Sequence, residues 1–83
     1  MGKITVFYIG NAMTGTECTS ETFSIPEDGL KLSSLAKLIA SRHPGIARVV
    51  EQGRWCVDGE FEPRDTFILK GGEEVDLFPR MVG

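Results

Sequence analysis

Histidine and cysteine are scarce in this chain of 83 residues: one histidine, His43, and two cysteines, Cys18 and Cys56. Two cysteines are too few for a disulfide scaffold, and free thiols are the norm in a reducing compartment. One histidine and two distant cysteines do not form the closely spaced ligand pairs of a zinc site, so no metal is expected. Positive charge is also short. Lys plus Arg number 9 against 12 Asp plus Glu, for a net charge of -3 and no basic run. That balance argues against nucleic acid and against an anionic membrane surface as partners. No stretch approaches the roughly 20 apolar residues of a membrane span. The opening run, Ile4 to Ile9, is interrupted by Thr5 and Tyr8 and is too short for a signal-peptide core. Val6 stands where a myristoylation motif behind Gly2 needs Ser or Thr. A cytoplasmic protein is the expectation. Catalytic patterns are missing as well. There is no Gly-x-Gly-x-x-Gly and no phosphate-loop lysine. No carboxylate sits in an apolar run that would raise its pKa, and no nucleophile–base pair can be read, so a stand-alone enzyme is not expected.

What is present is an ordinary globular mix, 41% hydrophobic and 25% charged. One domain covers residues 1–83, with roughly 60–65% of the unfolded chain's surface to bury. Residues 3–9 read as a strand with two largely apolar faces, Ile4, Val6 and Tyr8 on one, Phe7 and Ile9 on the other, as suits a central position. Small and polar residues 12–19 read as a loop. Residues 20–25 alternate, with Phe23, Ile25 and Glu21 on one side, and make a second strand. The period then changes. Leu32, Leu35, Leu38 and Ile39 fall at helical spacing over 33–42, with Ser33 as N-cap. His43, ahead of the helix-stopping Pro44, is expected to meet the last carbonyls. Ile46, Val49 and Val50 suggest further helical turns. Residues 54–57, Asp58-Gly59 and residues 60–62 form a hairpin. Gly71-Gly72 is a turn, and residues 74–78 are a last strand that Pro79 ends. The order predicts an α+β roll, a mixed sheet of about five strands with one main helix across one face. Val6, Phe23, Ile25, Leu35, Leu38, Ile39 and Leu77 are its expected core.

The residues turned away from the helix carry the functional signal. Asp76 marks its face of the last strand as wet, so Phe78 beside it is expected to be exposed. Phe7, Ile9 and Phe61 would extend an apolar patch on the open side of the sheet, and such a patch usually means a partner. Cys56, in a strand between Trp55 and Val57, reads as a small buried hydrophobe.

Four stretches together resemble the ubiquitin-like sulfur-carrier family, to which the small subunit of molybdopterin synthase belongs. They are Ile4 to Ile9, Arg42-His43-Pro44-Gly45-Ile46, Val57-Asp58-Gly59-Glu60-Phe61, and Gly71 to Val75 leading to Phe78-Pro79. They span nearly the whole chain in the family's order. The resemblance implies a ubiquitin-like β-grasp with the first and last strands side by side and parallel, and a C-terminal tail, residues 80–83, as the working end. It implies a non-catalytic carrier subunit of a sulfurtransferase complex. A partner enzyme adenylates the terminal carboxylate with ATP, a sulfur donor protein converts it to a thiocarboxylate, and the tail then donates sulfur in the large subunit for molybdenum cofactor biosynthesis. No cofactor would be bound to the carrier itself. Gly83 would be the reacting residue, and Ile9, Phe61, Phe78, Pro79, Arg80, Met81 and Val82 would bind partners. Met81, Val82 and Gly83 are expected to extend from the body and to order in a partner's groove. The tail departs from the family's Pro-Pro-x-x-Gly-Gly: Arg80 replaces the second proline, and Gly83 falls at the penultimate glycine. A truncated carrier, a divergent one, and a ubiquitin-like adaptor or modifier acting through its sheet face without sulfur transfer are the readings this leaves open.

Overall fold

The computed structural model describes residues 2–61, 63, 64 and 66–79. Strand β1 (Gly2–Tyr8) leads through a short helix α1 (Asn11–Thr16) to β2 (Ser20–Ile25) and the two-residue β3 (Leu30–Lys31). The main helix α2 (Leu32–Arg42), a 3-10 turn (Pro44–Ile46) and helix α3 (Ala47–Gln52) follow. Strands β4 (Arg54–Val57), β5 (Glu60–Phe61), β6 (Ile68–Leu69) and β7 (Glu74–Phe78) complete the order. Five strands form one mixed sheet in the order β2-β1-β7-β4-β5, and β3 pairs with β6 in a small second sheet. β1 and β7 run parallel at the centre, with Val6 opposite Val75 and Tyr8 opposite Leu77.

Alternation sorts the sheet into two faces. Ile4, Val6 and Tyr8 of β1, Phe23 and Ile25 of β2, and Val75 and Leu77 of β7 are all buried, and they meet Leu32, Leu35 and Ile39 of α2. The β4–β5 hairpin turns at Asp58 and Gly59, both at positive φ (50° and 87°), as its two-residue turn requires.

Four expectations are corrected. Leu38 is 46% exposed and outside the core. It lies one residue, hence about 100°, before the buried Ile39, and the stripe facing the sheet runs through Leu32, Leu35 and Ile39 instead. Ser33 is not the N-cap: α2 starts at Leu32 behind Lys31, without a side-chain cap. The Leu32 amide instead donates to the Phe67 carbonyl at 2.9 Å, so the β3–β6 side of the fold does the work of a cap. Residues 11–16 are helical where a loop was expected. There Gly15 lets the helix approach Ile46: a Cβ on Gly15 would collide with the Ile46 side chain. The last correction concerns His43. Its backbone amide bonds the Ile39 carbonyl at 2.8 Å, but its imidazole turns to Glu21.

Candidate docking face and polar cluster

The open face of the sheet carries the predicted patch. In the antiparallel registers Arg54 lies opposite Phe78, and Cys56 lies between Asp76 and Phe61. The Phe61 and Phe78 rings stand 5.5 Å apart between centroids, and the Arg54 guanidinium lies 5.5 Å from the Phe61 centroid. Phe61 is 57% exposed and Ile9 is 39% exposed, whereas Phe7, Phe78 and Pro79 are half-buried. Cys56 is buried here, outside the main core cluster. The Ile9 amide donates to the Leu77 carbonyl at 3.1 Å, carrying the β1–β7 pairing one residue past the strand. Gly10, at φ 58°, lies close to the Pro79 ring. Ile9, Phe61, Phe78 and Pro79 thus gather at the end of the sheet from which the chain leaves β7. Arg80, Met81, Val82 and Gly83 lie outside the described residues.

A second grouping, at the same end but on the helix side, was not foreseen. The Tyr8 hydroxyl donates to Glu21 Oε1 at 2.7 Å, His43 Nε2 donates to the same oxygen at 2.9 Å, and Arg42 donates to Oε2 at 3.0 Å. Burial and then the bond to Glu21 push the Tyr8 phenol above its ordinary pKa, so it stays a donor. Burial alone would raise Glu21. The bonds from Tyr8, His43 and Arg42 outweigh it and hold the carboxyl below its ordinary value of 4.5. The Tyr8 and His43 rings pack edge to face at 5.9 Å, and Cys18 packs against the core nearby. One sequence signal pointed here: Glu21 shares the inward side of β2 with Phe23 and Ile25, where a carboxylate needs partners.

An open groove of about 470 Å³ runs between α2 and α3, floored by Ala36, Ala40, Val50 and Trp55. Its polar groups are Ser33, Lys37 and Glu51, which supply no nucleophile–base pair. Among the described residues, apart from the Tyr8 hydroxyl bonded to Glu21, no polar or charged side chain is buried outright. No helix among the described residues is long and apolar enough to cross a membrane.

No protein-family model matches the chain. It is 34% identical, over 98% of its length and 93% of the relative's, to the human molybdopterin synthase sulfur carrier subunit. Among solved structures it resembles a putative molybdopterin converting factor subunit 1 from Pyrococcus furiosus (TM-score 0.81, 22% identity, 98% of this chain and all of that one). It also resembles the small archaeal modifier protein 1 of Haloferax volcanii (TM-score 0.83, 12% identity, 98% and 100% covered). A third match is a complex of subunits 1 and 2 of molybdopterin-converting factor from Helicobacter pylori (TM-score 0.68, 15% identity, 98% and 97% covered). These structures share the ubiquitin-like β-grasp fold. With a third of its residues identical across almost the whole length of the human protein, this chain belongs to the molybdopterin synthase sulfur carrier family.

Proposed function

We propose that the chain carries sulfur as a thiocarboxylate on Gly83, as the small subunit of a molybdopterin synthase in molybdenum cofactor biosynthesis. The observation that carries this reading is the 34% identity over 98% of the chain to the human sulfur carrier subunit. The geometry supports it. The chain leaves the central strand β7 at Phe78, whose ring packs against the exposed Phe61, and at Pro79, which lies close to Gly10 next to the exposed Ile9, so a partner gripping that face is adjacent to the point where the tail begins. The body supplies docking surface, and the acid–base chemistry belongs to the partners. These are the large subunit, an adenylating enzyme that uses ATP, and a sulfur donor protein. Glycine suits the reacting end because it has no side chain to block a narrow channel.

The test is intact-mass analysis after incubation with the adenylating enzyme, ATP and a sulfur source, on the chain ending at Gly83 and on one extended by a further glycine. Replacement of one oxygen by sulfur in either chain is the expected result. If neither gains sulfur, the carrier reading falls and an adaptor acting through the sheet face takes its place. A gain confined to the extended chain shows that the second glycine is required.

A further inference from the structure

Cys18, Glu21 and His43 come from three places in the sequence and converge beside Tyr8. Their donor atoms, Sγ, a carboxylate oxygen and an imidazole nitrogen, all lie within 4.8 Å of one another. In a tetrahedral zinc site with bonds of about 2.0–2.3 Å, such donors stand about 3.3–3.6 Å apart. Closing the difference takes side-chain rotation of about an ångström, and Glu21 and His43 already touch at 2.9 Å. We propose that Cys18, Glu21 and His43 form a binding site for a d-block dication of borderline softness, Zn²⁺, with water as the fourth ligand.

The surroundings suit that role. Each ligand is half-buried, so the site is screened from bulk water and yet accessible to an ion. His43 is held by its amide bond to Ile39 and by the Tyr8 ring. Cys18 sits on a turn tied to α1: its amide donates to the Thr16 hydroxyl at 3.4 Å, and that hydroxyl's proton is shared between the Ala12 carbonyl at 2.9 Å and the Cys18 carbonyl at 3.1 Å. Glu17, at φ 61°, reverses the chain just before it. Tyr8 and Arg42 already hydrogen-bond the Glu21 carboxylate, as outer partners of a ligating carboxylate do. Arg42 is a nearby cation that opposes a metal. It holds Oε2 and its guanidinium lies 4.7 Å from the Phe23 ring centroid, with its side chain 53% exposed, while at Oε1 Tyr8 keeps its bond and the ion takes the place that His43 vacates. On binding, Cys18 gives its thiol proton to solvent, and His43 Nε2, its proton exchanged through water to Nδ1, gives up its bond to Glu21 and offers its lone pair to the metal. A thiolate, an imidazole and one carboxylate select zinc over magnesium or calcium, which take all-oxygen shells. With three ligands and a bond to break first, the expected affinity is micromolar.

Co²⁺ serves as the probe, titrated into the metal-free full chain. One equivalent should develop tetrahedral d–d absorption together with a near-ultraviolet thiolate-to-cobalt charge-transfer band, both bleached by Zn²⁺. The charge-transfer band should vanish in Cys18→Ser and fall in Glu21→Gln, and it should persist in Cys56→Ser. Zn²⁺ should raise the melting temperature of the native chain but not of Cys18→Ser, because a ligand held only by the folded state stabilises it. Circular dichroism checks that each variant folds, and Cys18→Ser, which changes a single atom, carries the test should Glu21→Gln fail to do so. A band that survives Cys18→Ser, cobalt bound without thiolate absorption, or no binding at millimolar cobalt overturns the proposal.

Discussion

Glu21 takes three donors on two oxygens at the edge of the core, so its charge state is tied to the fold. Its carboxyl is held below 4.5 in the folded chain, so the stabilisation it brings is complete above that value and is lost as pH falls through the lower folded one. Glu21→Gln should therefore cost about 1.5–3 kcal/mol at neutral pH, the range for hydrogen bonds to a charged group. In denaturant melts with a chelator present, the gap to the native chain should narrow as pH drops below the ordinary carboxylate value. A gap independent of pH would mean that the ionised form is not what the donors select. Leucines on α2 give a second contrast. Leu35→Ala, at a fully buried site, should cost about 2–5 kcal/mol. Leu38→Ala, at a site 46% exposed, should stay within about 0.5 kcal/mol, and equilibrium unfolding of the pair checks the helix register. Glu21 was visible in the sequence as an acid on an inward face. Its partner His43, 22 residues on, was not, because only the packing of α2 across β1 and β2 brings them together.

Elements with a clear period were readable from the sequence: β1 and β2 by alternation, α2 by its 3–4 spacing, the β4–β5 hairpin by Asp58-Gly59. Those missed have no period to read. β3 and β6 are two residues each, and α1 is six residues containing Gly15 and two threonines, poor helix formers. Tertiary contact decides α1, through the close approach of Gly15 to Ile46. Gly53 shows the same constraint between α3 and β4. A Cβ there would collide with the Val49 carbonyl oxygen and stand 2.6 Å from that of Phe78. Its backbone is ordinary, at φ -73°, so Ala pays nothing in conformation and restricts the unfolded chain, a gain of about 0.4–1 kcal/mol. Both obstacles are backbone, however, and overpacking costs about 1–3 kcal/mol. Gly53→Ala should thus destabilise on balance, as a lower melting temperature would show.

The two sides of the sheet divide the labour of the whole molecule. One side buries the apolar residues of β1, β2 and β7 under α2, and its loss would unfold the chain. The other holds Phe61, Phe78 and Ile9 at the exit of the tail, where the fold gains little from leaving aromatic surface in water. The alternation in β1 and β7 was enough to foresee this face. It could not foresee that Phe78 would be half-covered by Phe61, because the cover comes from a hairpin whose place beside β7 is a matter of topology. That difference decides which variant is the cleaner probe. Phe78→Asp removes a ring that packs against Phe61, so it should lower stability as well as binding. Phe61→Asp loses the same ring pair and the Arg54 contact, but Phe61 is 57% exposed and buries less, so it should lower the melting temperature less than Phe78→Asp does. At an interface the same change removes apolar burial and adds a charge that must be desolvated. For a central aromatic anchor the loss is about 2 kcal/mol or more, which weakens binding by at least about thirtyfold. Calorimetric titration of Phe61→Asp against the cognate large subunit should show that loss with the heat-capacity signature of the native complex reduced. Native affinity in the variant would place the docking surface elsewhere on the molecule.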